Sequence, residues 1–91
     1  MASKHARKVA WMDPRDLRQA FASNLRRLRH AKDISPEDLA YEADVNRTYL
    51  SKLEKGVSYP GLEIIAKLAD ALGVEPAELL MLSPKSAKRT R

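Results

Sequence analysis

ISPEDLAYEADVNRTYLSKLEKG, residues 34–56, holds two helix starts eleven residues apart, and this repetition decides the fold. Each start has a polar cap, Ser35 or Asn46, with an apolar residue before it and another four positions after it: Ile34 with Leu39, then Val45 with Leu50. The cap oxygen accepts a backbone N–H that the first helical turn leaves unsatisfied, and the apolar pair staples the entering chain to the helix. Pro36 suits the first helical position, where its missing N–H costs nothing. The pattern predicts helix 2 over Pro36 to Ala43 and helix 3 from Arg47 to Lys55, before Gly56. Three residues between them force a steep crossing, which is a helix-turn-helix unit. Ala40 is small where helix 3 must approach, and Asp44 tolerates the left-handed backbone such a turn favours. Val45, Leu50 and Leu53 fall on the inward side of helix 3. Arg47, Thr48, Ser51, Lys52 and Lys55 are left facing outward, with long basic chains and hydroxyls suited to base edges and phosphates.

The same start signal extends outward. Asp13 and Pro14 open helix 1, with Met12 and Leu17 as the staple, and Pro76 opens helix 5, with Val74 and Leu79. Leu17, Phe21, Leu25 and Leu28 recur at helical spacing and form the expected core stripe of helix 1. Helix 4 begins less clearly near Pro60 and Gly61 and carries Leu62, Ile65, Leu68, Ala69 and Leu72 before Gly73 stops it. No strand alternation, repeat or Gly/Ser linker interrupts this series. The expectation is an all-α, compact five-helix domain over 13–83, with a basic extension at 1–12 and a basic tail at 84–91. Val9 and Trp11 either cap the domain or continue helix 1 backwards.

The 91 residues suffice for one modest core, and the absence of cysteine leaves that core dependent on packing alone. The net charge of +5 is less informative than its distribution. Seven of the 17 basic residues lie in 1–8 and 85–91, leaving ten against all 12 acidic residues between them, so the body is slightly acidic. Within that body, 15–32 is basic, whereas 35–44 and 61–82 are acidic, which predicts a polarised surface. No apolar run approaches the roughly 18 residues of a membrane span, and the N-terminus lacks the apolar centre of a signal peptide. A cytoplasmic protein is expected.

The run from Ile34 to Leu80, with RRLR of helix 1, resembles the Cro/CI-type, phage-repressor-like (Xre) helix-turn-helix family over roughly residues 16–82. The resemblance rests on S-x-E-x-L-A in helix 2, Y-L-S-K-L-E-K-G in helix 3, P-x-L-x-I-I-A-K-L-A-x-A-L-G-V, and the closing P-A-E-L-L. It implies a DNA-binding domain whose helix 3 enters the major groove, usually as a homodimer on a palindromic operator. Carried onto this chain, the base-reading positions are Arg47, Thr48 and Lys52, with Ser51 near a base or phosphate. The phosphate-contacting positions are Ser35, Asn46, Tyr49, Lys55, Ser58 and Tyr59. Arg29 and Glu54 match a pair read here as a structural ion pair. Pro36 stands where the family often has a phosphate-clamping Gln, and Asp33 and Asp44 replace frequent glycines. The helix 2 N-terminus still offers free N–H groups to a phosphate.

Leu79, Leu80, Met81 and Leu82 exceed what a short helix can bury in its own core, so they are the expected dimer contact. His5 and His30 have no partners at metal-ligand spacing, and no nucleophile–base constellation or Gly-rich phosphate loop is present. The reading therefore includes no metal, cofactor or catalytic residue. The basic ends are expected to add nonspecific DNA affinity, with a minor-groove arm as the sharper alternative. The predicted function is sequence-specific transcriptional regulation. Its rivals are an antitoxin or restriction-modification controller on the same fold, and a protein-interaction module with vestigial DNA binding. A protein partner such as a toxin or polymerase is left open.

Overall fold

The computed structural model describes residues 13–82 and contains five helices, α1 (Pro14–Lys32), α2 (Pro36–Ala43), α3 (Arg47–Glu54), α4 (Leu62–Leu72) and α5 (Pro76–Leu80), with no strand among them. The predicted basic extension and tail, with Met12, Trp11, Val9 and His5, lie outside the described residues.

Caps set the boundaries. Asp13 accepts from the Arg15 N–H at 2.8 Å, Ser35 from Asp38 at 3.1 Å, and Asn46 from Tyr49 at 3.0 Å. Asp13 is also held by the Arg15 guanidinium, and this hydrogen bond raises the Arg15 pKa. At the other ends, the N–H groups of Ile34, Val45 and Val74 reach back to the carbonyls of Arg29, Ala40 and Ala69. These are the residues read as staples for the following helices. One apolar residue thus closes a helix through its backbone N–H and stands at the staple position of the next, which keeps the connections short. The reversals require a left-handed residue, and Asp33 and Asp44 both adopt φ 57°, as glycines do more readily.

The core joins Phe21 and Leu25 of α1, Leu39, Ala40 and Ala43 of α2, Leu50 and Leu53 of α3, Ile65, Leu68 and Leu72 of α4, and Leu79 of α5. Helix α1 packs on α3 and α5, α2 on α3 and α4, and α4 on α5. Two stripe positions depart from expectation. Leu17 is 38% exposed and Leu62 is 86% exposed, because each sits in the first turn of its helix, at the edge of the packed body. Buried small and polar residues take their place on α1: Ala20, Ala22, Asn24 and Arg29.

One member of the expected dimer run, Leu79, departs from expectation too. Leu79 is fully buried in its own core and has no surface to offer a partner. Helix α5 ends at Leu80, so Met81 follows it in extended backbone and Leu82 lies beyond the helix. Asn24 holds that exit, its Nδ2 donating to the carbonyls of Leu79 at 3.0 Å and Met81 at 2.8 Å. Leu80 and Leu82 are half-buried and Met81 is exposed.

Candidate DNA interface

Helix α3 is fixed from behind. Leu50 and Leu53 are fully buried, and Glu54 forms a two-point ion pair with Arg29, Nε to Oε2 at 2.7 Å and Nη2 to Oε1 at 3.2 Å. The two side chains are only 10% and 12% exposed. The remaining Arg29 nitrogen, Nη1, donates to the Ile34 carbonyl at 3.0 Å. One guanidinium therefore ties α1 to both α3 and the turn before α2. This fork geometry needs Arg; Lys offers no planar pair of donors.

The front of α3 carries Arg47, Thr48, Ser51 and Lys52, all exposed, and Lys55 is exposed at its end. Arg47, Thr48 and Ser51 border a shallow notch of about 320 Å³ that Pro36 of α2 closes on the other side. Arg47 begins the helix and already has an ionic partner, Glu37 of α2, at 2.9 Å. Both side chains are more than half exposed, so water can replace either partner. The sequence reading missed Glu37. Its signal was the crossing itself, which brings the first turns of α2 and α3 together.

The expected phosphate contacts divide into two groups. Ser35 and Asn46 are exposed caps whose side-chain oxygens serve the backbone, while the Asn46 amide N–H groups remain without a partner among the described residues. Lys55 stands at the end of α3, and Ser58 and Tyr59 lie in the following loop. Tyr49 is different: it is half-buried, and its hydroxyl donates to the Tyr59 carbonyl at 2.8 Å. Its single hydrogen is already committed to holding that loop. Tyr59 in turn lies under the Arg18 guanidinium, 4.5 Å from the ring centre.

Two further residues shape this loop without having been singled out in the sequence. Gln19 donates to the Gly56 carbonyl at 3.3 Å, and Gly56, at φ 75°, packs so closely that an added Cβ would lie 2.5 Å from Gln19 Nε2. Arg26 of α1 donates to the Glu54 carbonyl at the C-terminal end of α3, where a cation is favoured. No group of three or more potential metal-ligating side chains occurs among the described residues. No helix there is long and apolar enough to cross a membrane.

A helix-turn-helix family model (HTH_3) matches residues 25–79. The control protein C.BamHI of Bacillus amyloliquefaciens is 41% identical over 66 residues, 71% of this chain and 82% of that protein. An uncharacterized HTH-type transcriptional regulator of Sinorhizobium fredii is 34% identical over 76 residues, 84% of this chain and 99% of its own length. Among solved structures, the restriction-modification controller protein C.AhdI of Aeromonas hydrophila superposes with a TM-score of 0.66 at 42% identity, covering 68% of this chain and 94% of that one. The hypothetical transcription factor NHTF from Neisseria gives a TM-score of 0.74 at 38% identity, covering 85% and 88%.

Proposed function

The chain belongs to the helix-turn-helix family and is a DNA-binding transcriptional regulator, and from that premise we propose that α3 reads its target in the major groove through Arg47, Thr48 and Lys52. The observation that carries this reading is the two-sided construction of α3. Its rear is fixed by Leu50, Leu53 and the Arg29–Glu54 pair, while its front presents Arg47, Thr48 and Ser51 at the notch, with the Arg29-paired Glu54 at the notch's inner edge.

Arg47 supplies two donors matched to the O6 and N7 of guanine, and Thr48 a methyl for thymine. Lys52 and Ser51 reach the neighbouring base or phosphate. Ser35, Asn46, Lys55, Ser58 and Tyr59 hold the backbone on either side. In this reading Tyr49 acts indirectly, by fixing the carbonyl of Tyr59 and with it the loop. Arg47 must exchange Glu37 for a base on binding.

The protein acts as a homodimer, with the partner facing Leu80, Met81 and Leu82, so that two copies of α3 lie about 34 Å apart in successive major grooves. Selection from a randomised duplex pool tests all of this together. Recovery of an inverted repeat with half-sites about one helical turn apart supports it, and recovery of a single asymmetric site refutes the dimer. Arg47→Ala should flatten the preference for the selected site over random duplex, whereas Lys55→Glu should weaken both alike. Equal losses on both duplexes for Arg47→Ala would remove it as a reader.

A second reading, control of a restriction-modification system, is favoured by the match to two control proteins over most of their lengths. It predicts that the selected site also occurs upstream of the chain's own gene and of an adjacent endonuclease gene. A protein-docking role without DNA predicts instead a salt-independent, weak interaction with random duplex.

A further inference from the structure

Three cations meet at the last turn of α3. Lys52 and Lys55 stand about one turn apart on its exposed side, and Arg26 reaches the same turn from α1, its Nη1 donating to the Glu54 carbonyl. None of the three forms an ion pair with a carboxylate among the described residues, and the acid of that turn, Glu54, is already bound at two points by Arg29. The C-terminal carbonyls of a helix carry only about half a negative charge, so capping α3 leaves a surplus of about two and a half positive charges on one exposed corner.

Arg26 and Arg29 share a helix and a neighbour, yet their donors are spent differently. Arg29 is buried, and its Nε, Nη1 and Nη2 are all engaged within the fold. Arg26 is exposed and has one nitrogen engaged, on an uncharged carbonyl, so most of the five N–H donors of its guanidinium are left for an outside acceptor.

We propose that Arg26 is a DNA-phosphate contact which, with Lys55, clamps the strand passing the C-terminal end of α3. The proposal rests on the reading of α3 as the major-groove helix and extends the interface to α1, where none of the phosphate positions read from the sequence lies. The ligand class follows from the chemistry. Phosphodiester oxygens accept a guanidinium fork in two parallel hydrogen bonds and supply the negative charge that this corner lacks. The anchor of Arg26 is the end of α3, beyond the reading row Arg47, Thr48, Ser51 and Lys52, so it meets the sugar–phosphate backbone and carries no base preference. Because the Glu54 carbonyl already orders this side chain, less rotamer freedom is lost on contact.

Titration of the full-length protein with labelled duplex at rising salt tests this. Arg26→Gln keeps an amide donor for the Glu54 carbonyl and removes the charge. The log–log slope of affinity against salt should become shallower by about 0.9, alike on the selected site and on random duplex, with the ratio between the two unchanged. Arg26→Lys should keep the slope and lose part of the affinity with the fork. Arg27→Gln removes a neighbouring cation whose guanidinium turns to Asn24 instead, and should leave the slope as it is. A methylphosphonate placed in turn at each phosphate of the selected duplex should reveal one whose neutralisation weakens the parent but not Arg26→Gln, a pattern that a purely structural cap does not produce.

A slope lowered by Lys55→Gln but untouched by Arg26→Gln would overturn the proposal and leave the α3 reading standing. A slope untouched by both would overturn it together with the placement of DNA at the end of α3. A melting temperature lowered by Arg26→Gln with no change of slope assigns the residue to the α3 cap alone, and equal effects of Arg26→Gln and Arg27→Gln assign it to diffuse charge; either result refutes the contact.

Discussion

Arg29→Met should bring the domain close to unfolding at room temperature. The substitution leaves Glu54 with a carboxylate only 12% exposed and no guanidinium, and removes the Arg29 donor from the Ile34 carbonyl. Stripping one partner from a buried ion pair costs about 3–5 kcal/mol. The described domain has 70 residues, and at about 0.05–0.15 kcal/mol per residue its whole stability is about 4–10 kcal/mol. At about 4–8 °C per kcal/mol for a domain of this size, the melting temperature falls by tens of degrees. Replacing both partners, Arg29→Met with Glu54→Leu, removes the stranded charge and should restore most of the loss. Thermal and urea unfolding of the four proteins of this cycle, followed by circular dichroism, gives the coupling directly. A double variant no more stable than Arg29→Met alone would refute the reasoning, since the cost would then lie in lost packing and not in an uncompensated charge. The double variant should also select the same DNA sequence as the parent.

Three further outcomes are expected. Glu37→Gln frees Arg47 from an exposed ion pair worth at most about 1 kcal/mol, so affinity for DNA should rise by up to about fivefold with stability unchanged; fluorescence anisotropy with labelled duplex measures this, and a loss of affinity would mean that Glu37 orients Arg47 for reading. Gly56→Ala should lower stability by at least about 1–2 kcal/mol, because the left-handed backbone penalises a Cβ and Gln19 must also move away; an unchanged urea midpoint would contradict the packing. Asp33→Gly, at φ 57° and exposed, with no side-chain hydrogen bond or ion pair to lose among the described residues, should stabilise by up to about 1 kcal/mol in the same assay.

The caps and staples made most of the architecture legible in the sequence, since Asp13, Ser35 and Asn46 act through local backbone geometry that a few consecutive residues determine. Membership of a buried face was less legible. Leu17 and Leu62 have the period of a core stripe, but period specifies a side of a helix and not whether a neighbour reaches that far. Asn24 carries no signal of burial in the sequence; the end of α5 places two carbonyls against it. At the candidate site, the row Arg47, Thr48, Ser51 and Lys52 follows from helix geometry alone. The partners that restrain or support it, Glu37 for Arg47 and the Tyr59 carbonyl for Tyr49, depend on how separate segments meet in space.

Asn24 and Arg29 lie five residues apart on α1, about 7.5 Å along its axis. Asn24 grips the chain where it leaves α5, and Arg29 grips α3. One stiff helix thus serves as a ruler between the surface proposed to meet a partner copy and the surface proposed to meet DNA. A small tilt at either grip would alter the distance between the two reading helices of a dimer. The tolerance of such a dimer for half-site spacing would then depend, beside the shared apolar core, on two polar side chains, neither of which needs to touch a base.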